Sequence, residues 1–182
     1  GFDDDMARVI TASVDGVRVV GAYFPNGQEP GSDKFEYKME WLSALRRWLK
    51  TELEAHPQLV LMGDYNITFD EADVWDPVAL EGTIHCTEEE RYHLRALIAL
   101  GLHDSLRLFP QPPKTYSWWD YRDFGFRRNR GLRIDHILIT DALKISHRTR
   151  HAHDGAQIIG RRLTAGDDLG TGFIQFDLLG IH

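Results

Sequence analysis

The segment LVLMGDYN, residues 59–66, decides the fold of this chain. Its apolar half, residues 59–62, predicts a short strand buried on both faces of a sheet. The end of such a strand is where α/β proteins usually carry their reactive groups. Because strand side chains alternate, Asp64 and Asn66 are expected to project to the same side. A carboxylate there can deprotonate a water while an amide donates to a phosphate oxygen, but taken alone GDYN is more often an ordinary turn.

Upstream of this segment, the sequence predicts a hairpin and a long helix. Residues 7–23 are rich in β-formers on both sides of an Asp-Gly turn signal. Residues 25–27, Pro-Asn-Gly, end the second strand. A Ser-Asp pair at 32–33 can cap a helix that runs to about residue 55, with apolar residues three and four apart.

Downstream, a long loop over residues 67–86 is followed by Thr87 and Glu90, which predict a capping box and a second helix. Residues 115–119 and 133–140 are expected to form two further strands. The element order β-β-α-β-α-β-β indicates a mixed α/β (α+β) domain.

A second acidic residue, Asp135, lies within the apolar run of the last predicted strand. A buried carboxylate is costly unless it is paired or close to a metal. Arg133, two residues earlier on the same face, is a candidate partner. A structural ion pair and a role in a site are equal alternatives for Asp135.

The segment TYSWWDYR, residues 115–122, places aromatic side chains next to arginines. Aromatic faces stack on sugars and bases, and guanidinium groups pair with phosphates; a packed strand with edge aromatics is the alternative. The net charge of −7 argues weakly against a polyanionic partner. Binding to nucleic acid depends more on the local patch, and five arginines crowd between residues 122 and 133.

Composition limits the class of protein further. The chain has 182 residues, of which 42% are hydrophobic and 27% charged, as in a water-soluble globular domain. No apolar stretch is long enough to span a membrane, and no signal peptide is visible. The single cysteine, Cys86, fits a reducing cytosolic setting.

Four segments together resemble one family. YFPNG at 23–27, GDYN at 63–66, YSWWDYR at 116–122 and NRGLRID at 129–135 occur in this order. They are similar to the signature segments of exonuclease III-type apurinic/apyrimidinic endonucleases, in the endonuclease/exonuclease/phosphatase superfamily that includes deoxyribonuclease I. The resemblance runs from about residue 7 to about residue 145. It implies part of a two-sheet β-sandwich with helices outside.

The resemblance implies a catalytic site built from four residues. Asp64 would activate the attacking water, Asn66 would hold that water and contact the scissile phosphate, and Tyr23 would stabilise charge on the phosphate. Asp135 would be a second acidic residue near the metal. Asp64 and Asp135 would hold Mg²⁺, or Mn²⁺ in its place, since Mg²⁺ takes one or two carboxylates and keeps several waters.

The resemblance also implies a DNA-repair activity. The substrate would be double-stranded DNA, cut on the 5′ side of abasic sites and at 3′ ends, in the bacterial cytoplasm near the nucleoid. Trp118 would line the pocket for the abasic sugar. Four polar side chains would lie along the DNA-binding face: Asn26, Arg122, Asn129 and Arg130. The alternatives are a phosphodiesterase of the same superfamily with a lipid substrate and a non-catalytic DNA-binding remnant.

The chain departs from the family at both ends. It lacks the N-terminal half, with its asparagine and its principal metal-binding glutamate. Residues 146–182 form a divergent tail without the family's Ser-Asp-His motif, so residues 1–145 are a partial domain. We therefore expect the chain alone to be inactive or strongly impaired. We also expect it to expose an apolar sheet face and to need the missing half or self-association to cover that face.

Overall fold

A mixed five-stranded sheet with the order β1-β2-β3-β7-β4 forms the centre of the molecule. The computed structural model describes residue 2 and residues 6–144 of the chain. A separate two-stranded sheet pairs β5 with β6. The strands are β1 Val9–Val14, β2 Val17–Ala22, β3 Leu59–Asp64, β4 Leu102–Asp104, β5 Trp118–Trp119, β6 Gly131–Leu132 and β7 Asp135–Thr140. The mixed α/β architecture predicted from the sequence is confirmed.

The sheet topology brings separate chain segments to one edge. The β1–β2 hairpin turns through Asp15 and Gly16, both with positive φ, as the Asp-Gly signal predicts. Strand β2 is parallel to β3, so the carboxyl ends of both strands lie at the same edge. Strand β7 is antiparallel to β3 and places Asp135 directly opposite Asp64. The edge therefore collects the residues that follow β2 and β3 and the first residue of β7.

Two helices cover one face of this sheet. Helix α1, Asp33–Ala55, begins after Ser32, whose side chain accepts from the amide of Phe35. Helix α2, Glu88–Ile98, begins with the predicted capping box of Thr87 and Glu90. Their apolar side chains and one face of the strands form one core. This core includes Val20, Leu42, Leu45, Leu49, Leu59, Leu61, Leu94, Leu97 and Leu138. Among the described residues, no helix combines the length and apolar character that a membrane span requires.

The opposite face of the sheet is apolar but lies outside that core. The strand registers place one set of side chains on it: Ile10, Ala12, Val14, Val17, Val19, Val60, Met62 and Ile137. Ile10 is 76% exposed and Val14 is 50% exposed. The exposed apolar sheet face that we expected from the sequence is present, and faces of this kind often mark contacts with another protein surface. Asp64 and Asp135 lie at one end of the same face.

Three strand boundaries differ from the sequence prediction. The strand expected over residues 115–119 is only Trp118–Trp119, and the one expected over 133–140 begins at Asp135. Ser117 causes the first change, because its hydroxyl accepts hydrogen bonds from the amides of Ile134 and Asp135. Strand β4 was not predicted, since three residues are too few to show a period. The predictions for residues 146–182 lie outside the described residues.

Candidate active site

Two carboxylates face each other at the edge of the sheet. Asp64 is the last residue of β3 and pairs in register with Asp135, the first residue of β7. Burial raises the pKa of Asp64 to about 6; the amide of Asn66 opposes this shift and the charge of Asp135 adds to it. Burial also raises the pKa of Asp135, against the effect of the Ser117 hydroxyl. The site thus holds two desolvated carboxylates whose charges repel.

Asn66 meets Asp64 through a turn rather than through strand alternation. Its φ of 51° takes the chain out of the strand direction. In that turn its amide donates to Asp64 Oδ1 at 2.8 Å, and its side-chain Nδ2 donates to Asp64 Oδ2 at 3.2 Å. The predicted proximity is correct, but the predicted cause is wrong. Asn66 Nδ2 also lies 3.1 Å from the carbonyl of Phe24, at the end of the neighbouring strand.

Gly63 permits the close approach of β2 behind this turn. Its φ is +143°, and a Cβ at this position would lie 2.0 Å from the carbonyl oxygen of Ala22. The residue before Asp64 must therefore lack a side chain. The same approach lets the amide of Phe24 donate to the carbonyl of Asp64 at 2.9 Å.

The residues after β2 complete the edge. Asn26 donates from Nδ2 to Asn66 Oδ1 at 3.2 Å. Tyr23 immediately follows β2 and precedes Phe24, whose amide donates to the backbone carbonyl of Asp64, so the Tyr23 backbone lies beside the end of β3. The Tyr23 side chain is 52% exposed, with the guanidinium of Arg8 5.6 Å from its ring centre. Four predicted site residues, Asp64, Asn66, Asn26 and Asp135, therefore lie together, with Tyr23 adjacent.

A buried polar cluster lies beneath Asn66 and was missed in the sequence. Lys38 Nζ donates to Glu90 and to the carbonyls of Asn66 and Asn26. His85 Nδ1 lies 2.7 Å from the Asn66 carbonyl, so this nitrogen carries the proton. Burial lowers the pKa of Lys38, and the charge of Glu90 opposes that shift. The available signal was a lysine at position 38, inside the apolar stripe of helix α1.

The β5–β6 hairpin carries the other predicted binding residues. Trp118 is 40% exposed and pairs with Leu132, and the bonds of Ser117 attach this hairpin to the start of β7. Near this hairpin, Trp119 Nε1 donates to Asn129 Oδ1 at 3.1 Å. The guanidinium of Arg130 lies 4.8 Å from the ring centre of Trp75. Arg122 forms an ion pair with Asp120 at 2.7 Å. The arginines are therefore held against aromatic and acidic neighbours on the exposed side.

Arg133 does not pair with Asp135. It lies at 2.7 Å from both Asp73 and Asp104, with all three side chains buried. These two ion pairs join the loop before α2 to strand β4 and to the segment between β6 and β7. The suggestion that Arg133 is the structural partner of Asp135 is therefore wrong. Asp135 instead turns its backbone amide to Ser117 and keeps its carboxylate opposite Asp64.

The pair Asp64–Asp135 fits a divalent cation. Two like charges side by side in a desolvated place are costly, and a cation between them removes that cost. Oxygen ligands of this kind suit Mg²⁺, which needs only one or two carboxylates. The described residues contain no larger group of three acidic, histidine or cysteine ligands.

Comparison with known proteins gives the same assignment. Residues 1–156 match the Endonuclease/Exonuclease/phosphatase family. An exodeoxyribonuclease of Bacillus subtilis (strain 168) is 33% identical over 142 residues, which are 78% of this chain and 56% of that protein. The solved 3′ phosphatase NExo from Neisseria, bound to a product DNA hairpin, has a TM-score of 0.77 and 44% identity over 79% of this chain and 56% of that one.

An AP endonuclease structure from Archaeoglobus fulgidus has a TM-score of 0.70 and 31% identity, covering 79% of this chain and 58% of that chain. The chain thus spans a little over half the length of the relatives that it matches. The opposed carboxylates at the sheet edge, the predicted deoxyribonuclease I-like fold and the match over residues 1–156 agree. This chain belongs to the endonuclease/exonuclease/phosphatase family.

Proposed function

We propose that the chain supplies the C-terminal part of a DNA-repair phosphodiesterase of the exonuclease III type. The observation that carries this proposal is the cluster of Asp64, Asn66 and Asp135 at one end of an uncovered sheet face. A nuclease site needs a base, a hydrogen-bond donor to the phosphate and a place for a cation, and this cluster offers all three. The Neisseria 3′ phosphatase that this chain resembles binds a product DNA hairpin.

In the proposed reaction, ionised Asp64 accepts a proton from water as the water oxygen bonds to phosphorus. The bond from phosphorus to the 3′ oxygen breaks, and that oxygen leaves as a hydroxyl after protonation. Asn66 Nδ2 turns one N–H, which donates to Asp64 Oδ2 in the free chain, to a phosphate oxygen, and the Tyr23 phenol stabilises the developing negative charge. Asp64 and Asp135 would hold Mg²⁺, or Mn²⁺, which supplies positive charge beside the phosphate.

The DNA would lie along the exposed side chains next to this edge. Trp118, 40% exposed on β5, would contact the sugar of an abasic nucleotide, which costs less to extrude because it has no stacked base. Four polar residues would extend this surface: Asn26, Arg122, Asn129 and Arg130. The proposed substrates are abasic duplex DNA, as in base excision repair, and 3′ ends, and the proposed location is the bacterial cytoplasm at the nucleoid.

The proposed activity requires protein segments on both sides of residues 1–145. The chain spans 56% of the Bacillus subtilis enzyme, and its exposed sheet face offers a place for the remainder. We propose that the chain alone self-associates through this face and cleaves little DNA. A monomer that melts cooperatively would contradict that expectation in size-exclusion chromatography and calorimetry.

The test uses a completed chain, defined as residues 1–145 joined to the N-terminal and C-terminal segments of the Neisseria NExo protein. An abasic duplex is offered with Mg²⁺, with Mn²⁺ and with a chelator. We expect metal-dependent cleavage 5′ to the abasic site by the completed chain, and its loss in Asp64→Asn. Salt-dependent DNA binding without turnover would instead support a binding module, and preferential hydrolysis of a lipid phosphodiester would support another substrate.

A further inference from the structure

Helix α1 carries a fully buried lysine under the proposed active site. Lys38 has 0% exposure, and its ammonium group uses all three of its donors. It lies 2.8 Å from the carbonyl of Asn66, 3.1 Å from the carbonyl of Asn26 and 2.5 Å from Glu90 Oε1. The two carbonyls belong to different loops, one after β2 and one after β3. A single side chain therefore links both loops.

Helix α2 anchors this lysine. Glu90 is fully buried and accepts from the amides of His85 and Thr87 and from the Thr87 hydroxyl. His85 Nδ1 donates to the carbonyl of Asn66, in the loop after β3. The polar groups at the N-terminus of α2 thus hold Lys38, and Lys38 holds the two loops.

Stability alone does not account for this ion pair. Removing two charges from water is expensive, and well-packed apolar side chains of similar size often replace a buried pair at no cost. What apolar side chains cannot do is donate to two carbonyls at once. An arginine does not substitute for the lysine either, because its planar guanidinium aims its donors differently.

We propose that Lys38 is a positioning residue for the proposed phosphodiesterase reaction: it fixes the distance between Asn26 and Asn66 and so aims the Asn66 amide at Asp64 and the phosphate. This inference rests on the proposed function. The hydrogen bond from Asn26 Nδ2 to Asn66 Oδ1, at 3.2 Å, depends directly on that distance. Without Lys38, the loops move apart while the strands keep their register.

The experiment replaces the ion pair by a neutral pair, Lys38→Met with Glu90→Gln, in the completed chain. The matched control is Arg18→Met with Glu52→Gln, since Arg18 Nε on β2 lies 2.8 Å from Glu52 Oε2 in the last turns of helix α1. We expect the Lys38 variant to lose at least about tenfold in kcat with KM for abasic duplex little changed, because small misplacements of reacting groups are expensive. The control should keep the parent's kcat.

A kcat equal to that of the control would overturn the inference. If the first variant does not fold, Lys38→Gln with Glu90→Gln keeps a neutral, hydrogen-bonded pair and is expected to show the same loss of kcat. Amide hydrogen exchange provides a readout without catalysis. The amide of Asn66 donates to Asp64 Oδ1 and the amide of Gln28 donates to Asn26 Oδ1, so exchange at both should accelerate in the Lys38 variants and not in the control. Unchanged exchange contradicts the positioning role. A parent that cleaves no DNA overturns the proposed function, whereas a cleaving parent with control-like Lys38 variants overturns only this inference.

Discussion

Two asparagines with the same backbone conformation mark two different regions of the molecule. Asn66 and Asn129 have φ values of 51° and 48°, and each accepts a side-chain hydrogen bond at its Oδ1. Asn66 is 3% exposed and is held from below by Lys38 and His85. Asn129 is exposed; its side chain accepts from the Trp119 indole, and its amide donates to the carbonyl of Phe126. The positive φ of Asn66 is therefore held by buried contacts, whereas the same conformation of Asn129 lies at the surface.

This difference separates two roles that DNA cleavage requires. A catalytic amide must keep its position to within a fraction of an ångström, so buried and fully bonded surroundings suit it. A DNA-contacting surface must stay accessible, and its charges act over several ångströms. We therefore expect changes around Asn66 to alter kcat and changes around Asn129 to alter DNA affinity.

The largest effect is expected from Asn66→Gly, which keeps the left-handed backbone but removes the amide. In the completed chain, kcat for abasic duplex should fall about 10²–10³-fold, the usual loss for one donor to a developing oxyanion. Asn129→Gly, its matched control, should change kcat less than about threefold. Single-turnover rates at saturating DNA measure both. Equal losses of kcat in the two variants would contradict the proposal that Asn66 acts in catalysis and Asn129 in DNA binding.

A smaller effect is expected from pH. Because burial raises the pKa of Asp64 to about 6, the carboxyl is largely protonated at pH 5 and largely ionised at pH 7. Only the ionised form accepts a proton, so kcat/KM, measured at a Mg²⁺ concentration well below saturation, should rise about tenfold between these values. Rates at constant ionic strength provide the measurement. A profile that is flat from pH 5 to 7 would contradict the assignment of Asp64 as the base.

The smallest effect on kcat is expected from Arg130→Ala. This change removes one cation from the exposed hairpin, so affinity should fall severalfold and the salt dependence of log K should flatten by about one unit. Arg46, exposed on helix α1, supplies the control Arg46→Ala. Fluorescence anisotropy across a salt series compares the two. Identical salt slopes for the two variants would contradict the assignment of the β5–β6 hairpin to the DNA-binding face.

Much of the scaffold is predictable from local sequence. Helix α1 and the capping box of α2 follow from side-chain periodicity and capping residues, which act over a few positions. The facing of Asp64 and Asp135 does not follow from local pattern, because it depends on the pairing of β3 with β7. The resemblance to a family supplied that pair before the register was known.

The parts that were missed depend on tertiary contacts. Lys38 is one lysine among many until its partners on α2 and on both loops are in place. The Ser117 hydroxyl accepts from the amides of Ile134 and Asp135, and this shortens strand β5. Arg133 forms ion pairs with Asp73 and Asp104 instead of Asp135. None of these partners is near in sequence, so side-chain pattern alone could not identify them.

The central claim is that Asp64, Asn66, Tyr23 and Asp135 surround one DNA phosphate. A crystal structure of the completed chain with a nicked abasic product and Mn²⁺ tests it directly, since anomalous scattering locates the metal. We predict a product phosphate within hydrogen-bond distance of Asn66 and Tyr23, and Mn²⁺ against Asp64 and Asp135. A phosphate and a metal bound elsewhere, with these four side chains turned away from the DNA, would contradict the claim.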